Sequence, residues 1–558
     1  MCGIAGVSLR PGVTVDPARL VRMRDALAHR GPDGEGAWEA PGAVLLHRRL
    51  SIIDVAGGAQ PIVTGDGTAA IVANGEIYNY RALQEELRRE GVDLRTRSDS
   101  EVALHRARLD GERFAERLRG MYALAVHDAR DGTTRLARDP FGIKPLYLAC
   151  GEEGVAFASE PQALAAGSFV ARSVRTGLVQ GFLERQYVPG EACLWAGIER
   201  VLPGETITLR EGRIVGRWRR RPVLDPAQPR DEATALAELD RLIGEATALH
   251  LQSEVPYAAF LSGGIDSTIV VTAMARLVER PRTYTVGFAD PSVPDERSEA
   301  ERVAHAVGAT HVGIGFDAAD FWAELPAMAA AMDDPVADYA CLPVLALARR
   351  AAQDVKVVLS GEGGDEIFAG YGRYRARPLE RLRGLLAAGG RDGLTPLQER
   401  QLADIDGWLP ADLLTKLDRC LMAHGIEGRV PLLDDRLAAF GFALPDRLKR
   451  RGRLGKWLLR RWLETERAAI DPYARKRGFT VPIRAWLEQR RAGLTDWIDA
   501  LGAASALGIE QELDGLRRGP LDKKGAQRLF AILCLVMWHE RHIRSADGCD
   551  ALPGIKIG

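Results

Sequence analysis

The rhythm of apolar residues changes once along this chain, and that change constrains the fold more than any other feature. Up to about residue 210, short alternating runs (CGIAGVSL, AVLLHRRLSII, AAIVANGEIY, MYALAVHD, TRLARD, LYLAC, GVAFAS, ETITLR) are separated by turn residues. Period-two runs at that spacing predict a strand-rich α+β domain whose sheets pack on each other, with helices over 81–90 and 101–109. From Thr234 the pattern becomes a helix to about Leu251, strand YAAFL, helix TIVVTAMARLV, strand TYTVGF, helix SEAERVAHAVG and later strand VKVVLS. That alternation predicts a parallel α/β sheet with ligands at the strand C-termini, and after Gly372 the chain reads as helical. The segment GRWRRRPVLDPAQPRDEAT lacks periodicity and is rich in Pro and charge, so a linker is expected over 213–233. The expected organisation is a two-domain α/β protein, 1–212 and 234–558, and 558 residues suffice for two separate cores.

Charge narrows the partners. Lys+Arg 75 against Asp+Glu 76 leaves a net charge of −1, so no whole-chain attraction to nucleic acid or an anionic membrane is expected. The 7 cysteines are scattered, with no CxxC pair, which fits a reducing compartment without a zinc knuckle or disulfide frame. MCGIAGVSLR has no basic leader, and the apolar stretch Phe530 to Trp538 falls short of the roughly 20 residues of a membrane span. A cytoplasmic protein acting on small molecules is expected.

Cys2 becomes the first residue if Met1 is removed, and its thiol then shares a residue with a free α-amine. With an α-amino pKa of about 7.7–8.0, part of that amine is unprotonated near neutrality and can take the thiol proton, making one residue nucleophile and base. The plain alternative is a buried cysteine starting a strand. The company of Cys2 favours chemistry: RGPDG (30–34), RLSIID (49–54), QP (60–61), NGEIYN (74–79), SDSE (98–101) and RDPFGIKPLY (138–147) resemble, in order and spacing, the class II glutamine amidotransferase domain. The resemblance implies an αββα sandwich of the N-terminal-nucleophile type. It also implies that Cys2 attacks the glutamine side-chain carbonyl, releasing ammonia and leaving a thioester for water to cleave. The Asn74 side-chain amide and the Gly75 N–H suit an oxyanion hole. Arg49 suits the glutamine carboxylate and Asp99 its ammonium. The matching family stretch adds backbone contacts from Leu50, Ser51, Ile52 and Ile53, with Glu76 beside the hole.

Strand YAAFL runs into SGGIDS (262–267) and then a helix. Gly263 and Gly264 let backbone N–H groups converge on phosphate oxygens at a helix N-terminus, Ser262 and Ser267 add hydroxyls, and Asp266 can hold Mg²⁺. The chain has no GxxxxGK[ST], so the loop grips a leaving pyrophosphate rather than presenting a γ-phosphate. Strand VKVVLS ends at SGEGGDEIFAGY (360–371), where Asp365 offers a second carboxylate for Mg²⁺ and Glu362 lies near the reacting carbonyl. With LLTKLDRCLMAHGIEGRVPLLD (413–434), GKWLLRR (455–461) and KRGF (476–479), these blocks resemble the ATP-pyrophosphatase-type synthetase domain of glutamine-hydrolysing asparagine synthetases.

That second resemblance implies adenylation of the aspartate β-carboxylate by ATP, giving AMP and pyrophosphate, then amidation by ammonia passed through a sealed interdomain passage. It further implies ATP contacts at Leu261, Val286, Ser360, Gly361, Lys456 and Lys476. Cys420, Gly425 and Cys341 depart from the common family pattern around the acceptor pocket. The same machinery amidating another carboxylate, in a peptide or secondary metabolite, therefore stands as the alternative. The expected partners are glutamine, ATP and the acceptor, with a homodimer as the expected assembly.

Overall fold

Alternation along each strand of the first half buries one face against a second sheet and the other under helices. The computed structural model describes residues 2–222, 224–288, 293, 295–375, 393–474, 481–518 and 521–545. Its first half holds two six-stranded antiparallel sheets. Gly3–Leu9 lies inside one, between Gly154–Ala158 and Ala43–Arg49, and Ala69–Ile77 lies inside the other, beside Gly120–Asp128. Ile4, Leu45, Val72, Ala125 and Phe157 fill the space between the sheets. Ala70 and Val72 point into that space, whereas Ile71 and Ala73 meet Leu83, Leu87 and Leu104 of the helices Tyr80–Arg89 and Ser100–Asp110. The helices Pro17–Asp25 and Pro161–Ala166 cover the opposite sheet through Leu20, Met23 and Leu164. This is the expected αββα sandwich.

One boundary differs from expectation. Arg213–Arg219, placed in the linker by its charge, is an edge strand paired with Glu205–Arg210. An edge strand with a solvent face needs no apolar rhythm, and charge on it discourages edge-to-edge association. The arginines of this run and the residues just after it are also spent on specific partners. Arg217 meets Glu205 at 2.9 Å, and Arg220 reaches across to Asp435 of the second half at 2.7 Å.

The second half is built on five parallel strands in the order Thr310–Phe316, Arg282–Phe288, Tyr257–Phe260, Val357–Leu359, Glu427–Arg429. Chain order reverses at Tyr257–Phe260, and the crevice beyond such a reversal is where open α/β sheets bind ligands. SGGIDS leaves Tyr257–Phe260 and SGEGG leaves its neighbour Val357–Leu359, so both loops open on that crevice. Thr310–Phe316 and Glu427–Arg429 were not foreseen as strands.

The halves share a continuous apolar core, crossed by buried ion pairs. Arg30, fully buried, lies 2.7 Å from Glu160 and 2.8 Å from Asp418 of the second half. Arg119 bridges Glu245 at 2.6 Å and Asp434 at 2.7 Å, and Arg200 meets Asp334 at 2.7 Å. Removing one partner from such a pair strands a buried charge at a cost of about 3–5 kcal/mol, so these contacts fix how the halves sit. The helix Lys523–Trp538 joins the same seam: the Trp538 and Trp195 indole N–H groups both donate to the Asp333 carbonyl, at 2.8 and 2.7 Å. No helix among the described residues is long and apolar enough to cross a membrane.

Candidate active sites

Cys2 stands at the head of Gly3–Leu9, buried, with its thiol 3.9 Å from the Leu50 carbonyl. Burial pushes the thiol pKa up. The Cys2 backbone N–H donates to Asn74 Oδ1 at 3.0 Å, so Asn74 Nδ2 must point the other way, and it is buried without a partner. An orphaned buried amide costs about 1–3 kcal/mol, and an oxygen arriving beside the thiol would recover it. Gly75 follows with φ 144°, and a Cβ there would lie 2.0 Å from the Met121 carbonyl, so a glycine is needed for this close strand approach.

Around this centre the structure gathers most of the expected glutamine residues. Leu50, Ser51 and Ile52 are buried and Ile53 half-buried, with Ser51 N–H on Asp33 at 2.8 Å. Asp99 immediately precedes the helix Ser100–Asp110, and its carboxylate accepts from the Ile77 N–H at 2.7 Å. Burial raises its carboxyl to about 6, against that hydrogen bond. Two details differ from expectation. The Ile52 carbonyl is engaged by the Glu254 N–H of the second half at 3.0 Å. Arg49, expected to be a free fork, donates to the Asp54 and Val55 carbonyls at 2.7 and 3.0 Å, so it holds the following loop as well.

Sequence reasoning missed the second half's own reach into this site. Arg429 lies 3.2 Å from Glu76 and 2.5 Å from Glu427, all three buried. Burial, reinforced by Glu427 and opposed by Arg429, raises the Glu76 carboxyl well above its ordinary value. The Arg429 carbonyl accepts from Ser360 N–H at 2.8 Å. The three-residue strand Glu427–Arg429 thus touches Glu76 with a side chain and the SGEGG loop with its backbone. The signal was in the IEGRVPLLD block, where an acid and an arginine alternate inside an otherwise buried run.

In the second site, the Ser262 and Ser267 hydroxyls lie 3.1 Å apart, and Ser267 Oγ also accepts from the Ser262 N–H at 3.2 Å, folding the loop over the start of the helix Ile265–Ala275. Gly263 and Gly264 form its tip, and Leu261 and Val286 are buried at neighbouring strand ends. SGEGG packs directly on it: a Cβ at Gly361 would lie 2.8 Å from the Asp266 Cβ. Asp266 and Asp365 converge as expected, and Lys456 Nζ bridges them, 2.8 Å from Asp365 and in close contact with Asp266. Gly370 makes room, since a Cβ there would collide with both Asp365 and Lys456. A cavity of about 550 Å³ opens alongside, lined in part by Gly370, Tyr371, Arg450, Arg453 and Arg460. Glu362 is half-buried, and its carboxyl is raised by burial, with Lys416 opposing and Asp338, Asp365 and Asp266 reinforcing. Lys476 lies outside the described residues. Among the described residues no cluster of three or more His, Cys, Asp or Glu side chains is placed to hold a metal.

Of the departures from the family pattern, Cys341 and Cys420 are fully buried, with Cys420 Sγ donating to the Cys341 carbonyl at 3.5 Å between the helices Cys341–Ala351 and Leu414–Met422. Gly425 turns the chain after the second helix with φ 64°.

The Glutamine amidotransferase domain family matches residues 1–219, and the Asparagine synthase family matches residues 238–540. The glutamine-hydrolysing asparagine synthetase 1 of Bacillus subtilis is 32% identical over 97% of this chain and 97% of its own. The chain belongs to the glutamine-hydrolysing asparagine synthetase family. Asparagine synthetase B of Escherichia coli, also glutamine-hydrolysing, is 27% identical over 93% of this chain and 87% of its own. The glutamine-hydrolysing asparagine synthetase 3 of Bacillus subtilis is 29% identical over 83% and 84%. Both family matches fall on a single chain, and the strand Glu427–Arg429 touches Glu76 in the first and Ser360 in the second.

Proposed function

We propose that this protein makes asparagine from aspartate, glutamine and ATP. The observation that carries the reading is near full-length similarity to a named asparagine synthetase, 32% over 97% of both chains, in a chain that presents both centres. With Met1 removed, the Cys2 α-amine takes the thiol proton and Sγ attacks the glutamine amide carbon. The oxyanion is met by Asn74 Nδ2, whose lack of any other partner supports this role, and by the Gly75 N–H. One such donor is worth about 2.7–4 kcal/mol to the transition state. Collapse expels ammonia with the transferred proton, and water cleaves the thioester to glutamate. Arg49 orients the glutamine carboxylate and Asp99 its ammonium, with Leu50 to Ile53 and Glu76 as walls.

Asp99 must be ionised to hold an ammonium. Its carboxyl sits at about 6 before substrate arrives, so it is charged above that pH and loses its charge below. KM for glutamine should therefore rise below about pH 6, approaching tenfold per pH unit, while kcat changes less. Steady-state glutaminase assays between pH 5 and 8 check this, and a flat KM across that range would remove Asp99 from the ammonium site.

In the second half, an aspartate β-carboxylate oxygen attacks the ATP α-phosphorus and pyrophosphate leaves onto SGGIDS, with Leu261, Val286, Ser360, Gly361, Lys456 and Lys476 around the nucleotide. Asp266 and Asp365 fit a magnesium ion: they are hard oxygen donors that already converge on one positive charge, that of Lys456. Bound there with the nucleotide, the ion would neutralise phosphate charge. Ammonia then attacks the acyl carbon, AMP leaves, and Glu362, raised by burial, takes the surplus proton. Purified protein given glutamine, aspartate and ATP should yield asparagine, glutamate, AMP and pyrophosphate in equal amounts, read by chromatography and mass spectrometry. A different amidated carboxylate would shift the reading to the alternative acceptor.

A further inference from the structure

The mechanism above gives Arg49 the glutamine carboxylate, yet this guanidinium also donates to the carbonyls of Asp54 and Val55, at 2.7 and 3.0 Å. The direction of Arg49 therefore depends on the turn that presents those carbonyls. The N–H groups of the same two residues are held by the second half. Glu254 Oε1 accepts from the Asp54 N–H and Oε2 from the Val55 N–H, each at 3.1 Å, and the Glu254 N–H donates to the Ile52 carbonyl at 3.0 Å. Successive N–H groups that converge on one anion, with a left-handed residue among them, form a backbone cradle, and Asp54 is left-handed with φ 48°. The Asp54 side chain extends the tie: its Oδ2 accepts from the Arg97 N–H at 3.0 Å, two residues before Asp99. One turn thus connects the groups assigned to both ends of the glutamine backbone.

Glu254 is exposed, but the segment that carries it is fixed. Arg429 donates to the His250 and Gln252 carbonyls at 2.8 and 2.6 Å, the Ser253 hydroxyl donates to the Val255 carbonyl at 2.8 Å, and the chain then enters the strand Tyr257–Phe260. Among the described residues the Glu254 carboxylate has no cationic partner, so both of its oxygens serve the turn. Docking of the halves does not depend on it, since Arg30 with Asp418, Arg119 with Asp434 and Arg200 with Asp334 already join them. We propose that Glu254 is a positioning residue for glutamine: from the second half it sets the Asp54 and Val55 peptides, whose carbonyls aim Arg49 at the glutamine carboxylate. This rests on the glutamine site proposed above and adds that a side chain of the other half completes it.

Glu254→Ala removes both carboxylate bonds and keeps the backbone bond to Ile52. In the full-length protein KM for glutamine should rise about tenfold while the kcat of glutamine hydrolysis stays within about twofold, because the groups around Cys2 are untouched and only binding of the substrate backbone suffers. Glu254→Gln keeps one acceptor oxygen and the shape, so its KM should fall between wild type and Glu254→Ala. Two alkylating agents separate recognition from a general disturbance of the thiol. A diazoketone analogue of glutamine carries the α-carboxylate and α-ammonium, and iodoacetamide carries neither. Labelling of Cys2 by the analogue, followed by intact mass, should slow about tenfold in Glu254→Ala, and labelling by iodoacetamide should stay within about twofold. An unchanged KM, a loss confined to kcat, or equal slowing with both agents would overturn the role of Glu254. A wild-type protein that neither hydrolyses glutamine nor takes the analogue at Cys2 would instead overturn the glutamine site on which it rests.

Discussion

Cys2→Ala should abolish glutamine-dependent asparagine formation, by at least about 10³-fold, and leave ammonium-dependent formation within about twofold of wild type. The first half of that expectation follows from chemistry: alanine offers no nucleophile, and neither the Asn74 amide nor the α-amine replaces the thioester route. The second follows from geometry. Cys2 Sγ has one weak hydrogen-bond partner, the Leu50 carbonyl at 3.9 Å, so its removal breaks little hydrogen bonding and leaves the Cys2 N–H to Asn74 bond in place. The loops proposed above for aspartate adenylation are held by the other sheet. Parallel assays with glutamine and with ammonium chloride measure both arms on one preparation. Intact mass of the active wild type should show Met1 absent, because the amine of Cys2 is otherwise locked in a peptide bond. Loss of ammonium-dependent synthesis in a folded Cys2→Ala protein would refute the division of labour, and full activity with Met1 retained would refute the α-amine as base.

Much of this arrangement was legible because it depends on local rules. Period-two runs gave the strands of the sandwich, and a strand followed by a Gly/Ser turn and a helix located the phosphate loop. The misses share a physical cause: each is settled by tertiary context rather than by neighbours in sequence. Glu427–Arg429 spans three residues, too short to show a period, and is a strand because Val357–Leu359 offers its edge. Arg213–Arg219 is charged because it is an edge strand open to water, where Arg217 pairs with Glu191 and Glu205 and Arg219 approaches Asp406 of the second half. Thr310–Phe316 carries two glycines, which weaken a strand signal, and is held by a seven-residue register with Arg282–Phe288. The same cause hid the joint between the sites. Arg429 reads in sequence as one more arginine before VPLLD, yet it pairs with Glu76 in one half while its backbone fixes Ser360 in the other. Lys456 as the bridge of Asp266 and Asp365 was hidden too, since 90 residues separate it from the nearer of them.

Asp266→Asn or Asp365→Asn should lower aspartate-dependent AMP and pyrophosphate formation by about 10²-fold or more while sparing glutamine hydrolysis at Cys2. Lys456 lies buried between these two carboxylates, so the site balances charge around a cation. Attraction of each carboxylate for that cation holds the lysine well above its ordinary pKa despite its burial, and it stays charged throughout the physiological range. Making one aspartate neutral leaves a buried ammonium with one charged partner and removes half of the anionic charge available to a metal carried in by the nucleotide. A carboxamide keeps the shape and one oxygen, so the loss reports charge rather than a hole in the packing. Raising the magnesium concentration should recover part of the rate, which a general unfolding of the loop would not permit. The sharpest readout is the fate of ATP. SGGIDS has no Walker lysine and closes its own hydroxyls over a helix start, an arrangement suited to gripping the β- and γ-phosphates as one leaving group. Wild-type turnover should therefore release AMP and pyrophosphate in step with asparagine, and both variants should lose all three together. Nucleotide chromatography of the reaction mixture would show it, and stoichiometric ADP with inorganic phosphate would overturn both the adenylate route and the role given to Asp266 and Asp365.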